Sequence, residues 1–177
     1  MNRDSIFIGL GGIVALLLQI IVAPNIAAFY AMPNFILVYV GIIAMVRPEG
    51  WVYGMAFVLG LLYDLLGNNP VGLMAALLLI VVLVASRSFI LFNNDTVFIP
   101  LMVSVFSSLL VEVLYAVSLL MFGLDVSLGD ALLLRALPCA LYDCAMGLII
   151  FPLVTHILMP MDSRLSVKPS TATVRLR

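Results

Sequence analysis

Residues 50–72 read GWVYGMAFVLGLLYDLLGNNPVG, an apolar run holding one acid, Asp64, preceded by Gly50, Gly54 and Gly60. A carboxylate inside such a run limits the folds open to the chain. In a bilayer the run has to be helical, because only helices and closed barrels satisfy their own backbone polar groups there. An acid at that depth costs about 3 kcal/mol on insertion scales, so it faces protein or water rather than lipid. At helical spacing Tyr53, Ala56, Gly60, Asp64 and Gly67 share one face. That face is small and then charged, and small residues allow a second helix to approach closely. The stretch predicts a helix made to be packed against.

The rest of the chain supplies what packs. Of its 177 residues, 65% are hydrophobic and 10% charged. A water-soluble domain of that balance would expose one continuous apolar patch. The expected fold class is an all-α membrane protein, a bundle of six transmembrane helices at about 20 residues per crossing. The expected spans are 5–22, 33–46, 51–66, 71–85, 96–122 and 131–158, within one integral membrane domain covering 1–160. The N-terminal run reads as the first of these spans, not as a signal peptide, since no small-residue cleavage site follows it. Residues 161–177 form a basic tail whose composition predicts disorder. Pro33 suits the first turn of the second span, where a missing N–H is harmless. Residues 23–34 are uncharged and bounded by Pro24 and Pro33; they fit an interfacial or a re-entrant segment.

Orientation follows from the eight basic residues. With six spans, Arg3, Arg47, Arg87, Arg164, Lys168, Arg175 and Arg177 fall on one side and Arg135 alone on the other. The positive-inside rule then places both termini in the cytoplasm. The tail is also suited to anionic membrane lipids. Nothing in a net charge of −1 suggests nucleic acid.

In that topology Asp64, Glu112, Asp143 and Arg135 all fall in the outer half of the membrane. They form an intramembrane polar cluster that is either a site open to the outside or a network holding helices together, with Arg135 as partner to Asp64 or Asp143. Ser104, Ser108, Glu112 and Tyr115 make a polar stripe on the fifth span, although serines also bond back to their own helix. Gly11 and Ala15 are a small-x-x-x-small pair in the first span, which also carries one amide, Gln19. Cys139 and Cys144 are five apart, too poorly directed to bridge and not spaced for zinc. The lone His156 reads as an interfacial residue. No nucleophile is paired with a base, and no phosphate loop or metal set is present in the sequence. Catalytic, cofactor and metal sites are therefore all expected to be none, and the chain is not expected to be an enzyme.

Pro33-Asn34-Phe35-Ile36-Leu37-Val38, the run GMAFVLGLLYDLL with Gly60 and Asp64, and then Gly72 resemble the MreD family of rod shape-determining proteins. That family's pattern has a proline opening the second span, G-x-x-x-D ending the third and a glycine opening the fourth. The resemblance implies a non-enzymatic multi-pass subunit of the bacterial cytoplasmic membrane. It would associate with MreC, and through it with RodA, a transpeptidase penicillin-binding protein and, indirectly, MreB. It further implies that Pro33, Gly60, Asp64 and Gly72 serve helix packing or partner contact, a role also expected of Gly54 as a small residue of the same helix. The family's fold looks like that of the substrate-binding components of vitamin uptake transporters, which supplies the alternative function. Those components dock through an Ala-x-x-x-Ala pair, where this chain has only Gly11 and Ala15.

Overall fold

The computed structural model describes residues 3–27, 31–67, 70–91, 98–121, 129 and 136–158. They build six long helices: α1 (Arg3–Ile21), α2 (Phe35–Val46), α3 (Gly50–Leu66), α4 (Leu73–Leu91), α5 (Phe98–Met121) and α6 (Leu137–Leu158). A single 3-10 turn, Ala23–Asn25, follows α1. No strand occurs among the described residues. Three helices carry stretches long and apolar enough to cross a membrane, Ser5–Asn25, Leu101–Ser118 and Leu137–Ile157. The apolar runs Phe35–Val46, Gly50–Leu66 and Leu73–Ser88 are shorter.

The bundle is built round α2. All 12 of its residues are buried, and it packs against each of the other five helices. At 1.5 Å per residue it is only about 18 Å long, against a hydrocarbon thickness of about 30 Å. A helix surrounded by protein need not match the lipid, so burial explains the short length. It also explains the composition, because FILVYVGIIAMV has no polar side and therefore no face to turn outward.

Contacts along α2 fix the helix directions. Asn34 meets Asp143, and a methyl at Gly147 would lie 3.9 Å from Val38, so α2 and α6 run the same way. Ser108 meets Asp143, and the same methyl at Gly147 would lie 3.6 Å from the Ser104 hydroxyl, so α5 runs opposite to α6. Gln19, late in α1, meets Pro33 and Phe35 at the start of α2, and Tyr39 donates to the carbonyl of Ile8. Hence α1 runs opposite to α2. The end of α1 and the starts of α2 and α6 therefore share one side of the bundle. The outer helices carry the exposed apolar residues, among them Ile13, Val58, Leu83, Phe106 and Leu148. The interior is apolar too, with a few buried polar side chains such as Gln19, Asp64 and Asp143, so both faces of the outer helices are apolar, as expected of a chain that lies in lipid.

Glycines set the closest approaches. A methyl group on Gly60 would lie 2.5 Å from Ala75 Cα and 2.7 Å from its nitrogen, so α3 and α4 touch backbone to backbone. One on Gly11 would overlap the Tyr39 hydroxyl; the small pair of α1 thus seats α2. Gly54 is different. It is exposed, with nothing within 4 Å of where a Cβ would stand. It does not pack against another helix of this chain, which corrects that half of the expectation. Counting explains it: six residues from Gly60 carry Gly54 about 240° round the helix, away from α4.

Pro33 also moves from its expected place. The second helix starts at Phe35 with Asn34 as its cap, so Pro33 lies just ahead of the first turn. Its carbonyl accepts a hydrogen bond from the Gln19 amide at 3.1 Å. Cys139 and Cys144 are not joined in a disulfide. Arg135 and the tail 161–177 lie outside the described residues.

Candidate functional site

Two carboxylates in this bundle are each 1% exposed, Asp64 and Asp143. The first four N–H groups of any helix lack partners within it. At a surface, water supplies them. Inside an apolar bundle a side chain must.

Asp64 supplies them for α4. Its Oδ2 accepts from the N–H groups of Gly72 and Met74, each at 2.9 Å, and from Ala75 at 3.4 Å. Gly72 holds the capping position, since its carbonyl accepts the first helical bond from Ala76. A Ser, Asp or Asn there would cap with its own side chain. Gly72 has none, and its φ of +93° is a conformation that side chains disfavour. The capping oxygen is delivered instead from the neighbouring helix. Gly60, one turn earlier, lets α3 come close enough to deliver it. The positive end of the α4 dipole adds to the attraction. Asp64 Oδ1 is buried and accepts no hydrogen bond among the described residues.

Asp143 does the same for α2, from 109 residues away. Its Oδ1 accepts from the Asn34 N–H at 2.6 Å, and its Oδ2 from the Ser108 hydroxyl at 2.5 Å. The next amide, Phe35 N–H, donates to Gln19 Oε1 at 2.7 Å. The Asn34 side chain accepts from Leu37 N–H at 3.0 Å. Side chains from α1, α6 and the cap itself thus share the start of the central helix, and a hydroxyl from α5 holds the acid in place. Ser108 turns its bond across the bundle rather than back along its own helix, while Ser118 does bond back, to the Leu114 carbonyl.

Asp64 and Asp143 thus bind different helix starts. The donors found for both are backbone amides and one serine. Asp64 is tied to the start of α4, whereas the sequence suggested Arg135 as partner to it or to Asp143. Glu112 lies on the Ser108 face of α5, within electrostatic range of Asp143. Among the described residues no three His, Cys, Asp or Glu side chains converge on a position that could hold a metal. Sequence reasoning noted Gln19 as a stray amide and gave Asn34 no role. The signal available for both was the same: polar residues beside the start of a helix with no polar side of its own.

The family model for the rod shape-determining protein MreD matches residues 4–161. The chain belongs to the MreD family. The resemblance carried by Pro33, Gly60, Asp64 and Gly72 is therefore correct. The match gives the chain a role in rod shape determination and places it in a membrane protein family of shape-determining structural proteins, not a known enzyme family. No curated protein and no solved structure matches it. Within this MreD-family bundle, Gly60, Asp64 and Gly72 form one joint, in which close approach, acceptor and donor come from three successive positions of the α3–α4 hairpin.

Proposed function

We propose that this MreD-family chain is a membrane scaffold subunit of the bacterial elongation machinery. It couples MreC to RodA and a transpeptidase penicillin-binding protein, and connects indirectly to MreB, with no catalytic step of its own. All six helices cross the cytoplasmic membrane, and both termini are cytoplasmic. Asp64 and Asp143 then sit in the outer half.

The observation that carries this reading is the family match over residues 4–161. The chemistry of the two acids supports it. A substrate site needs donors and acceptors turned toward a ligand. Asp64 and Asp143 are instead engaged by the starts of α4 and α2, where they make helix joints rigid. A rigid bundle with an apolar exterior suits the docking of other membrane helices. The alternative, a vitamin-binding component of a transporter, has no observation of its own in favour.

Purification of the tagged protein from its own membranes, with mass spectrometry of proteins and small molecules together, tests the proposal. Recovery of MreC and cell-wall synthases without a stoichiometric ligand is the expected result. Recovery of transporter ATPase subunits or a stoichiometric vitamin would overturn it.

A further inference from the structure

Helices α1 and α6 do not close over α2. Between them runs an apolar groove of about 250 Å³. Its floor is buried and formed by Ile8, Ala15, Phe35, Tyr39 and Val154. Its rim is exposed and formed by Phe7, Val14, Leu153 and Ile157. The one hydroxyl in it, that of Tyr39, already donates to the Ile8 carbonyl at 2.6 Å. The groove therefore offers an occupant dispersion contacts and no hydrogen bonds.

Size selects among apolar occupants. An apolar cavity of about 150 Å³ holds benzene, so 250 Å³ holds a longer piece of hydrocarbon. Both walls belong to helices long enough to span a membrane, which places the groove at acyl-chain depth.

Charge selects the lipid class. The directions of α1 and α6 bring Phe7 and Ile157 to the same end of the groove. In the sequence that end is flanked by residues 1–6 and 158–177, with five basic residues, Arg3, Arg164, Lys168, Arg175 and Arg177, against the acids Asp4 and Asp162. The other end is flanked by 22–34, which carries no charge, and by 122–136, where Asp125 and Asp130 outnumber Arg135. Basic residues beside a membrane surface attract anionic headgroups.

We infer that the α1–α6 groove is a binding site for one acyl chain of an anionic phospholipid, whose headgroup lies at the Phe7–Ile157 end. The inference does not depend on the protein partners proposed above.

Native mass spectrometry of the full-length protein, delipidated in detergent and given equimolar phosphatidylglycerol and phosphatidylcholine of identical chains, tests it. The expected result is one retained phosphatidylglycerol per chain, favoured at least fivefold over phosphatidylcholine. Val14→Trp fills the rim and should lower retention at least tenfold. Leu10→Trp, equally exposed on α1 but outside the groove, should leave it unchanged. Leu153→Trp repeats the block from the opposite wall if Val14→Trp does not purify as a single species. Equal retention of the two lipids would overturn the inference, as would undiminished binding in the rim variants. Competition by soluble glycerol phosphate would also overturn it, by placing recognition in the headgroup alone. So would a second copy of the chain, rather than lipid, being lost on blocking the rim.

Discussion

Asp64 holds amides that have no other acceptor among the described residues. Replacing it with Leu keeps the branched shape, with bulkier methyl groups, and removes the oxygen. The N–H groups of Gly72 and Met74 then lose their partner, at about 1–3 kcal/mol for each buried group left unmatched. Asp64→Asn keeps one carbonyl oxygen to accept with and should lose about half as much. Thermal unfolding in detergent should therefore rank wild type above Asn and Asn above Leu; equal midpoints would contradict the capping role. Gln19 gives a second case. It both donates to Pro33 and accepts from Phe35, so Gln19→Leu strands two buried groups, at about 1–3 kcal/mol each. The same melt should show a lowered midpoint; an unchanged one would contradict the role of Gln19 at the start of α2.

The α3–α4 hairpin is a joint with one permitted spacing. At Gly60 even the smallest side chain meets backbone that cannot swing aside. Gly60→Ala should destabilise the protein by about 1–3 kcal/mol, as overpacking does. Gly54→Ala meets nothing and should be neutral, or stabilising by up to about 1 kcal/mol through helix propensity. A protein that tolerates Gly60→Ala as well as Gly54→Ala does not have this joint. The residues of the hairpin were legible in the sequence because they are local, Gly60 and Asp64 one turn apart and Gly72 eight residues on, but the bond from Asp64 to the start of α4 was not, since the sequence paired that acid with Arg135. The α2 joint was not, because Gln19, Asn34, Ser108 and Asp143 are scattered over most of the chain and no spacing rule connects them. Hydropathy located the apolar runs well. It did not identify α2 as the centre, since a buried helix and a lipid-facing one are equally apolar, and only length hinted at the difference. Gly54 does not pack within this chain, because a glycine in a helix marks a close approach without saying which side, or which molecule, it meets.

For the whole molecule, the proposed topology makes a prediction about sidedness. With both native cysteines replaced by alanine, single cysteines at positions 125 and 168 should react with an impermeant maleimide from opposite faces of intact cells and inverted vesicles. Position 125 should be reached from outside and 168 from the cytoplasm. Labelling of both from one face would rule out six crossings. The central position of α2 has a further consequence, which concerns how such a protein is made. Helix α2 leaves the ribosome long before α6, yet Asn34 N–H waits for Asp143, 109 residues later. Until α6 inserts, the heart of the bundle has an unmatched amide, and α5 has a serine without its carboxylate. The nascent bundle is thus incomplete until α6 has been made. A truncated product carries a mark of immaturity at its centre, where membrane chaperones and proteases that sense polar groups in lipid could read it.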